Sequence, residues 1–204
     1  MLIWESTSYL NRSYKLFSRN PAVELRWNGD HSLNDNLTDV GAQKVGLRYT
    51  SSNSKDRLDM ISVMRFQPEG ISPDNLHFEK SDFGKTRVGI TTGIFLAKSS
   101  GKLSLNKLDP RNHPDLNYNY LSNENDFQRM IEGVKFNFEI ARNSNFDSFR
   151  KDLIAPLPEA LEDDKLLKKW ISSKVHTMHH ISGTCKMGNT DDDFSVVDKH
   201  GKVI

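Results

Sequence analysis

The sequence contains one cysteine, Cys185, so no internal disulfide framework can staple the fold, and this composition fits a reducing compartment. No window approaches the roughly 18 apolar residues of a membrane span. Charge of either sign is barely in excess: 28 Lys and Arg against 27 Asp and Glu leave a formal net charge of +1. Nothing therefore points to nucleic acid or to an anionic membrane surface as a partner. The opening MLIWESTSYLNR has no basic region followed by an apolar run, so it does not read as a signal peptide. Among twelve glycines no two stand as G-x-G, and neither a dinucleotide fingerprint nor a P-loop can be assembled. These absences leave the expectation of a soluble, cytoplasmic protein of mixed α and β content.

What is present can build a sizeable core. The chain has 204 residues, 36% of them hydrophobic, with Trp4, Trp27, Trp170 and eleven phenylalanines, although its mean hydropathy is −0.63. Residues 23–27 (VELRW) alternate as a strand and run into Asn28-Gly29-Asp30, a turn signal. Residues 45–49 and 60–66 are further strand candidates, separated by the polar loop 51–56. Residues 67–86 read as a long excursion. Residues 89–97 (GITTGIFLA) carry the strongest strand signal, and Leu103 and Leu105 share a face in the next strand. After the turn DPRNHP, the spacing of Phe127, Met130, Ile131, Val134, Phe138 and Ala141 predicts an amphipathic helix. Ser122 or Asn123 can cap it, with Glu124 and Asp126 suited to its first turn. A shorter helix is expected from Asp163 or Asp164, turning Leu167, Trp170 and Ile171 inward.

That helix leads into HTMHHISGTCKMG, which holds three histidines and the only cysteine. His176, His179 and His180 stand at i, i+3 and i+4, a spacing that can put three imidazoles on one helical face. Zinc proteases with such spacing place a glutamate between the histidines, whereas here no carboxylate lies within ten residues on either side. Cys185 is poorly spaced as a fourth metal ligand, and nothing nearby marks it as an activated thiol for a Cys–His pair. It reads as a small buried packing residue. Asp191-Asp192-Asp193 lacks the alternating oxygen ligands of a calcium loop and reads as a solvated turn. On spacing alone, a core turn with incidental histidines, a metal site and a nucleophile pair all stay open.

Three segments, in order, resemble the C-terminal part of the glucose–methanol–choline oxidoreductases. The first is SSGKLSL at 99–105, followed by Asp109-Pro110 and Asn119-Tyr120-Leu121. The second is the helix over 126–141 with its Glu132-Gly133 pair. The third is HISGTCKMG at 180–188. More weakly, residues 42–66, with GLRYT at 46–50 and Asp59-Met60, resemble the preceding substrate-domain strands. The resemblance implies an α+β fold, a mostly antiparallel sheet with flanking helices. It implies a substrate-binding domain over 41–175 and the start of a return to the FAD-binding domain over 176–204. Residues 1–40 are an unplaced, irregular segment.

The same resemblance implies that His180 is the catalytic base beside a flavin, taking the proton of an alcohol while hydride passes to FAD. Histidine suits this task because its ordinary pKa lets it accept and release a proton near neutrality. His179, just before it, is expected to line the substrate pocket, and Gly183 and Thr184 to shape the turn. The family binds FAD through a G-x-G-x-x-G region and places a further active-site residue after a D-A-S-x-x-P stretch, and neither motif occurs in this sequence. The expectation is therefore a fragment cut at both ends, whose FAD belongs to a region outside it and which as an isolated chain is inactive. Its partners would be a small alcohol and the missing FAD-binding domain. The alternatives are a non-catalytic substrate-domain subunit or degenerate fragment needing a separate flavoprotein, and a redox-silent cyanohydrin lyase.

Overall fold

A computed structural model describes residues 13–18, 21–30, 45–52, 54–67, 86–105, 109, 111–148, 150–182 and 185–204. Among these residues ten strands and three α-helices follow in order, with a short 3-10 helix (Ser144–Phe146) ahead of the eighth strand. They are β1 (Ser13–Ser18), β2 (Pro21–Gly29), β3 (Gly46–Tyr49), β4 (Met60–Gln67), β5 (Arg87–Ile94), β6 (Gly101–Ser104), β7 (Asp115–Asn117) and α1 (Glu124–Ala141). Then come β8 (Arg150–Ala155), α2 (Pro158–Glu162), α3 (Asp164–Lys174), β9 (His176–Thr177) and β10 (Ile181–Ser182). Every pairing between these strands is antiparallel. The large sheet runs β3-β4-β5-β2-β8, with β9 also on β2, and a smaller one runs β10-β1-β6-β7. The chain is thus α+β, as the sequence implied. None of the helices among the described residues is long and apolar enough to cross a membrane.

Strand β5 lies between β4 and β2 and is buried at all eight positions. Its sequence RVGITTGI accordingly lacks the polar alternation of a half-exposed strand. Alternation reappears on β2, where Val23, Leu25 and Trp27 point into the core while Glu24 and Arg26 take the opposite face. Met130, Ile131 and Val134 of α1 and Leu167 and Ile171 of α3 join that core with Met60, Ile90 and Ile94. Burying each such side chain contributes about 1.5–3 kcal/mol. Trp170 is only partly buried beside it. Asn123 and Asp163 cap α1 and α3, the first accepting from Asn125 N–H at 3.0 Å and the second from Lys165 N–H at 2.7 Å.

Gly133 lets α1 approach the sheet. A Cβ there would lie 2.5 Å from Thr92 Cγ2, 2.7 Å from Met60 Cε and 3.0 Å from Tyr49 Oη. Tyr49 Oη is buried, and burial pushes its pKa up to about 12, partly offset by the nearby Ser62 hydroxyl. Beside it, Asn137 joins the layers, accepting from Ser62 Oγ and donating to Thr92 Oγ1, each at 2.5 Å. Alanine gains up to about 1 kcal/mol over glycine inside a helix, whereas overpacking a closed contact costs about 1–3 kcal/mol. Gly133→Ala is therefore expected to lower the urea midpoint, and a raised midpoint would show that the helix can lift off without loss.

Several expectations are corrected. Asn28 and Gly29 do not turn the chain but sit inside β2, paired with Arg87 on β5 and Arg150 on β8, because tertiary pairing overrides the local turn signal. Within residues 1–40, the strand expected at 23–27 extends to Pro21–Gly29 as β2, and β1 was not foreseen. Strand β5 begins and ends earlier than residues 89–97. Strands β7 and β8 and helix α2 had no clear local signal. Most of the 67–86 excursion lies outside the described residues.

Candidate active site

The motif segments ahead of the histidines prove to be scaffold. Asp109 closes a turn, accepting from Arg111 N–H at 3.0 Å and pairing with its guanidinium. Asn119 and Leu121 have left-handed backbone, with φ of 50° and 55°. The Asn119 amide donates to the Ser100 carbonyl and to Ser122 Oγ, both at 3.1 Å, which binds the start of β6 to the approach to α1. A Cβ on Gly101 would lie 1.8 Å from the Asn117 carbonyl oxygen, so only glycine allows β6 to meet this loop. Glu132 accepts from Ser52 N–H at 2.9 Å and from Ser52 Oγ at 2.8 Å.

Under the end of the sheet lies a buried charge cluster that was not evident in the sequence. Asp59 and Asp126 are fully buried and Arg129 is 4% exposed. The Arg129 guanidinium reaches Asp59 Oδ2 at 2.8 Å and Asp126 Oδ1 at 2.6 Å. Asp126 also accepts from Lys98 N–H, Ser99 N–H and Ser99 Oγ, and Asp59 accepts from Ser51 N–H and Ser51 Oγ. Asp126 was expected merely to suit the helix's first turn. It does stand in that turn, and it also anchors the 98–99 loop.

Burial by itself would raise the Asp59 pKa, but the Ser51 donors and Arg129 outweigh it and hold it at about 2. Its native value lies below its unfolded value, so its stabilisation is complete above the unfolded pKa and lost as pH falls towards 2. A shift of this size corresponds to about 2 kcal/mol. His176 behaves oppositely. Burial holds its pKa below the ordinary imidazole value, so stability declines as pH falls through that ordinary value. Urea midpoints between pH 7 and pH 2 should fall in these two stages, and Asp59→Asn should flatten the lower one. An unchanged lower limb would count against the assignment.

The histidines do not share a helical face. Helix α3 ends at Lys174, Val175 is extended, and the chain then crosses from the large sheet to the small one. His176 pairs with Ala22 through β9 and its Nδ1 donates to the Thr177 carbonyl at 3.1 Å. Met178 lies against Gly93 of β5. His179 is exposed with left-handed backbone, φ 66°, its N–H donating to Thr177 Oγ1 at 2.8 Å. His180 is exposed and precedes β10, which pairs with β1. No group of three or more His, Cys, Asp or Glu among the described residues is arranged to hold a metal ion. Cys185, expected to be buried packing, is exposed instead, in a stretch 185–204 of which no residue is buried. Asp191 and Asp193 are exposed in a turn, and Lys186 pairs with Asp192. Gly183 and Thr184 lie outside the described residues.

Among the described residues the Phe95 ring stands beside His180, with centroids 6.2 Å apart and planes tilted by 33°. Arg48 Cζ stands 4.0 Å from the Phe95 centroid, a cation–π contact worth about 0.5–1 kcal/mol at an exposed site. Sequence reasoning missed both roles. Phe95 read only as part of the strand expected at 89–97, and Arg48 only as part of a weakly matching strand. No local signal could have joined them to His180.

Solved structures share this α+β fold. Pyridoxine 4-oxidase from Mesorbium loti matches with a TM-score of 0.67 over 93% of this chain and 36% of its own, at 16% identity. A variant of the formate oxidase of Aspergillus oryzae RIB40 matches with a TM-score of 0.65 over 97% of this chain and 41% of its own, at 17% identity. Residues 97–204 match the family model described as GMC oxidoreductase, and the chain belongs to that family. It is 33% identical over 139 residues to the oxygen-dependent choline dehydrogenase of Rhizobium rhizogenes (strain K84 / ATCC BAA-868), covering 68% of this chain and 24% of that protein. With the oxygen-dependent choline dehydrogenase of Pseudomonas fluorescens (strain Pf0-1) it is 36% identical over 111 residues, 54% of this chain and 19% of that one.

Enzymes of this family bind FAD. The described residues offer no cradle for it, because the strands are all paired antiparallel and no strand–glycine turn–helix unit presents backbone N–H groups to a pyrophosphate.

Proposed function

We propose that this chain is the substrate-side part of an FAD-dependent oxidoreductase that oxidises the CH–OH group of an alcohol of the choline, aryl or alkyl type. His180 serves as the base and His179 lines the pocket. Residues 41–175, together with β2, form the substrate-binding unit, and residues 176–204 return towards an FAD-binding region. A flavin held there would supply the hydride acceptor. The task of this chain is to bind the alcohol and accept its hydroxyl proton at His180.

One observation carries the reading. The His180 imidazole is exposed and makes no hydrogen bond among the described residues, so a ring nitrogen is available to a substrate hydroxyl. The identity to choline dehydrogenases supports the substrate class. The test is His180→Ala in a flavin-bearing protein that carries this chain, followed by alcohol turnover and the unfolding midpoint. Lost turnover with an unchanged midpoint is expected. Unchanged turnover would overturn the assignment.

A further inference from the structure

We propose that Phe95, clamped by Arg48, is the positioning residue for the His180 imidazole. The inference rests on reading His180 as the base. An imidazole that accepts a proton from substrate must present one nitrogen along one direction, and a ring usually holds its aim through a hydrogen bond on its other nitrogen. His180 has no such bond among the described residues. Its neighbour is the Phe95 ring, which carries Arg48 on its face and whose backbone is anchored on both its N–H and its carbonyl.

The backbone comes first. Phe95 N–H donates to the Asp59 carbonyl at 2.7 Å, and Asp59 is itself locked by Arg129 and Ser51. Arg129 Nη1 also lies 3.4 Å from the Phe95 carbonyl oxygen. The ring comes next. Arg48 stands over it at 4.0 Å, while its Nη2 donates to the Leu58 carbonyl at 2.6 Å, so the guanidinium cannot swing away without losing a bond. Local chain geometry comes last. Leu58 and Leu96, each next to one of these anchors, are left-handed, with φ of 57° and 55°. Such backbone persists in a branched residue only where its surroundings over-determine it. Strand β3, the 58–59 loop and the end of β5 thus converge on one half-buried ring whose contact is the exposed histidine. A packing role alone would not need a guanidinium tethered over an aromatic at the sheet's edge.

The test has two arms. In the 204-residue chain, NMR of the His180 ring C–H signals and of its χ1 couplings reads orientation directly. Phe95→Leu should remove the ring-current shift and average the couplings, Phe95→Tyr should preserve both, and Arg48→Met should reproduce part of the Phe95→Leu effect. Arg48 is exposed, so that variant keeps the question open to measurement should Phe95→Leu fail to fold. Unchanged couplings in Phe95→Leu, or in Arg48→Met if only it folds, would overturn the proposal.

In a flavin-bearing protein carrying this chain, Phe95→Leu should lower kcat about 10- to 100-fold, leave KM within about twofold, and be rescued by Phe95→Tyr. A rise in KM at constant kcat would mark Phe95 as a substrate contact and overturn the positioning role. If His180→Ala leaves turnover intact, the base reading falls by its own measurement, while the couplings still decide whether Phe95 orients the ring.

Discussion

Replacing Arg129 by methionine is expected to cost about 3–5 kcal/mol of folding free energy, the range found when one partner of a buried ion pair is removed. The guanidinium is the only cation paired to two fully buried carboxylates, Asp59 and Asp126, among the described residues. Without it both carboxylates stay desolvated close together, and the serine and backbone donors at each are too few to balance the charge. Methionine fills much of the same volume, so the loss reads electrostatics more than cavity. Urea unfolding at neutral pH measures it, and a loss below about 1 kcal/mol would show that water or relaxation replaces the arginine. Asp126→Asn should cost less than Arg129→Met, because it removes one charge from a cluster that otherwise carries a net negative one. Combining it with Arg129→Met should cost less than the sum, since the two residues share one network. The effect should extend beyond stability, because Arg129 and Asp59 also hold the backbone of Phe95.

The second large effect is at His180. In a flavin-bearing protein carrying this chain, His180→Ala should lower kcat by about 10²–10⁴, the usual contribution of a general base. Unfolding free energy should change by less than about 0.5 kcal/mol, because the side chain is exposed and makes no hydrogen bond among the described residues. The contrast with Arg129 is the discriminating feature: one substitution removes stability and the other removes rate. His179→Ala serves as the neighbouring control, altering KM rather than kcat if it lines the pocket. A His180→Ala protein that loses stability and rate in proportion would place His180 among the structural histidines.

How much of this was legible beforehand follows from where each signal resides. The helical spacing from Phe127 to Ala141, the Asn123 and Asp163 caps and the β-branched run of β5 are encoded within a few residues of themselves, and all reappear in the fold. The family was legible in the same way, from three short segments whose order and spacing together were specific. The misreadings share the opposite property. Asn28-Gly29 turns in isolation but lies between two paired strands, and Cys185 is apolar enough to bury but sits on a surface segment.

The sequence by itself determined the elements whose energies are local, namely helix stripes, caps and strand runs, and through its motifs the family and the histidine to examine. Tertiary structure alone decided which strands pair, which charges are buried and what touches that histidine. Asp59, Asp126 and Arg129 become one buried cluster, and Arg48, Phe95 and His180 one contact chain, only after residues far apart in sequence are brought together. Desolvation and ring packing act across space rather than along the chain, so neither leaves a local mark in the residues that will meet.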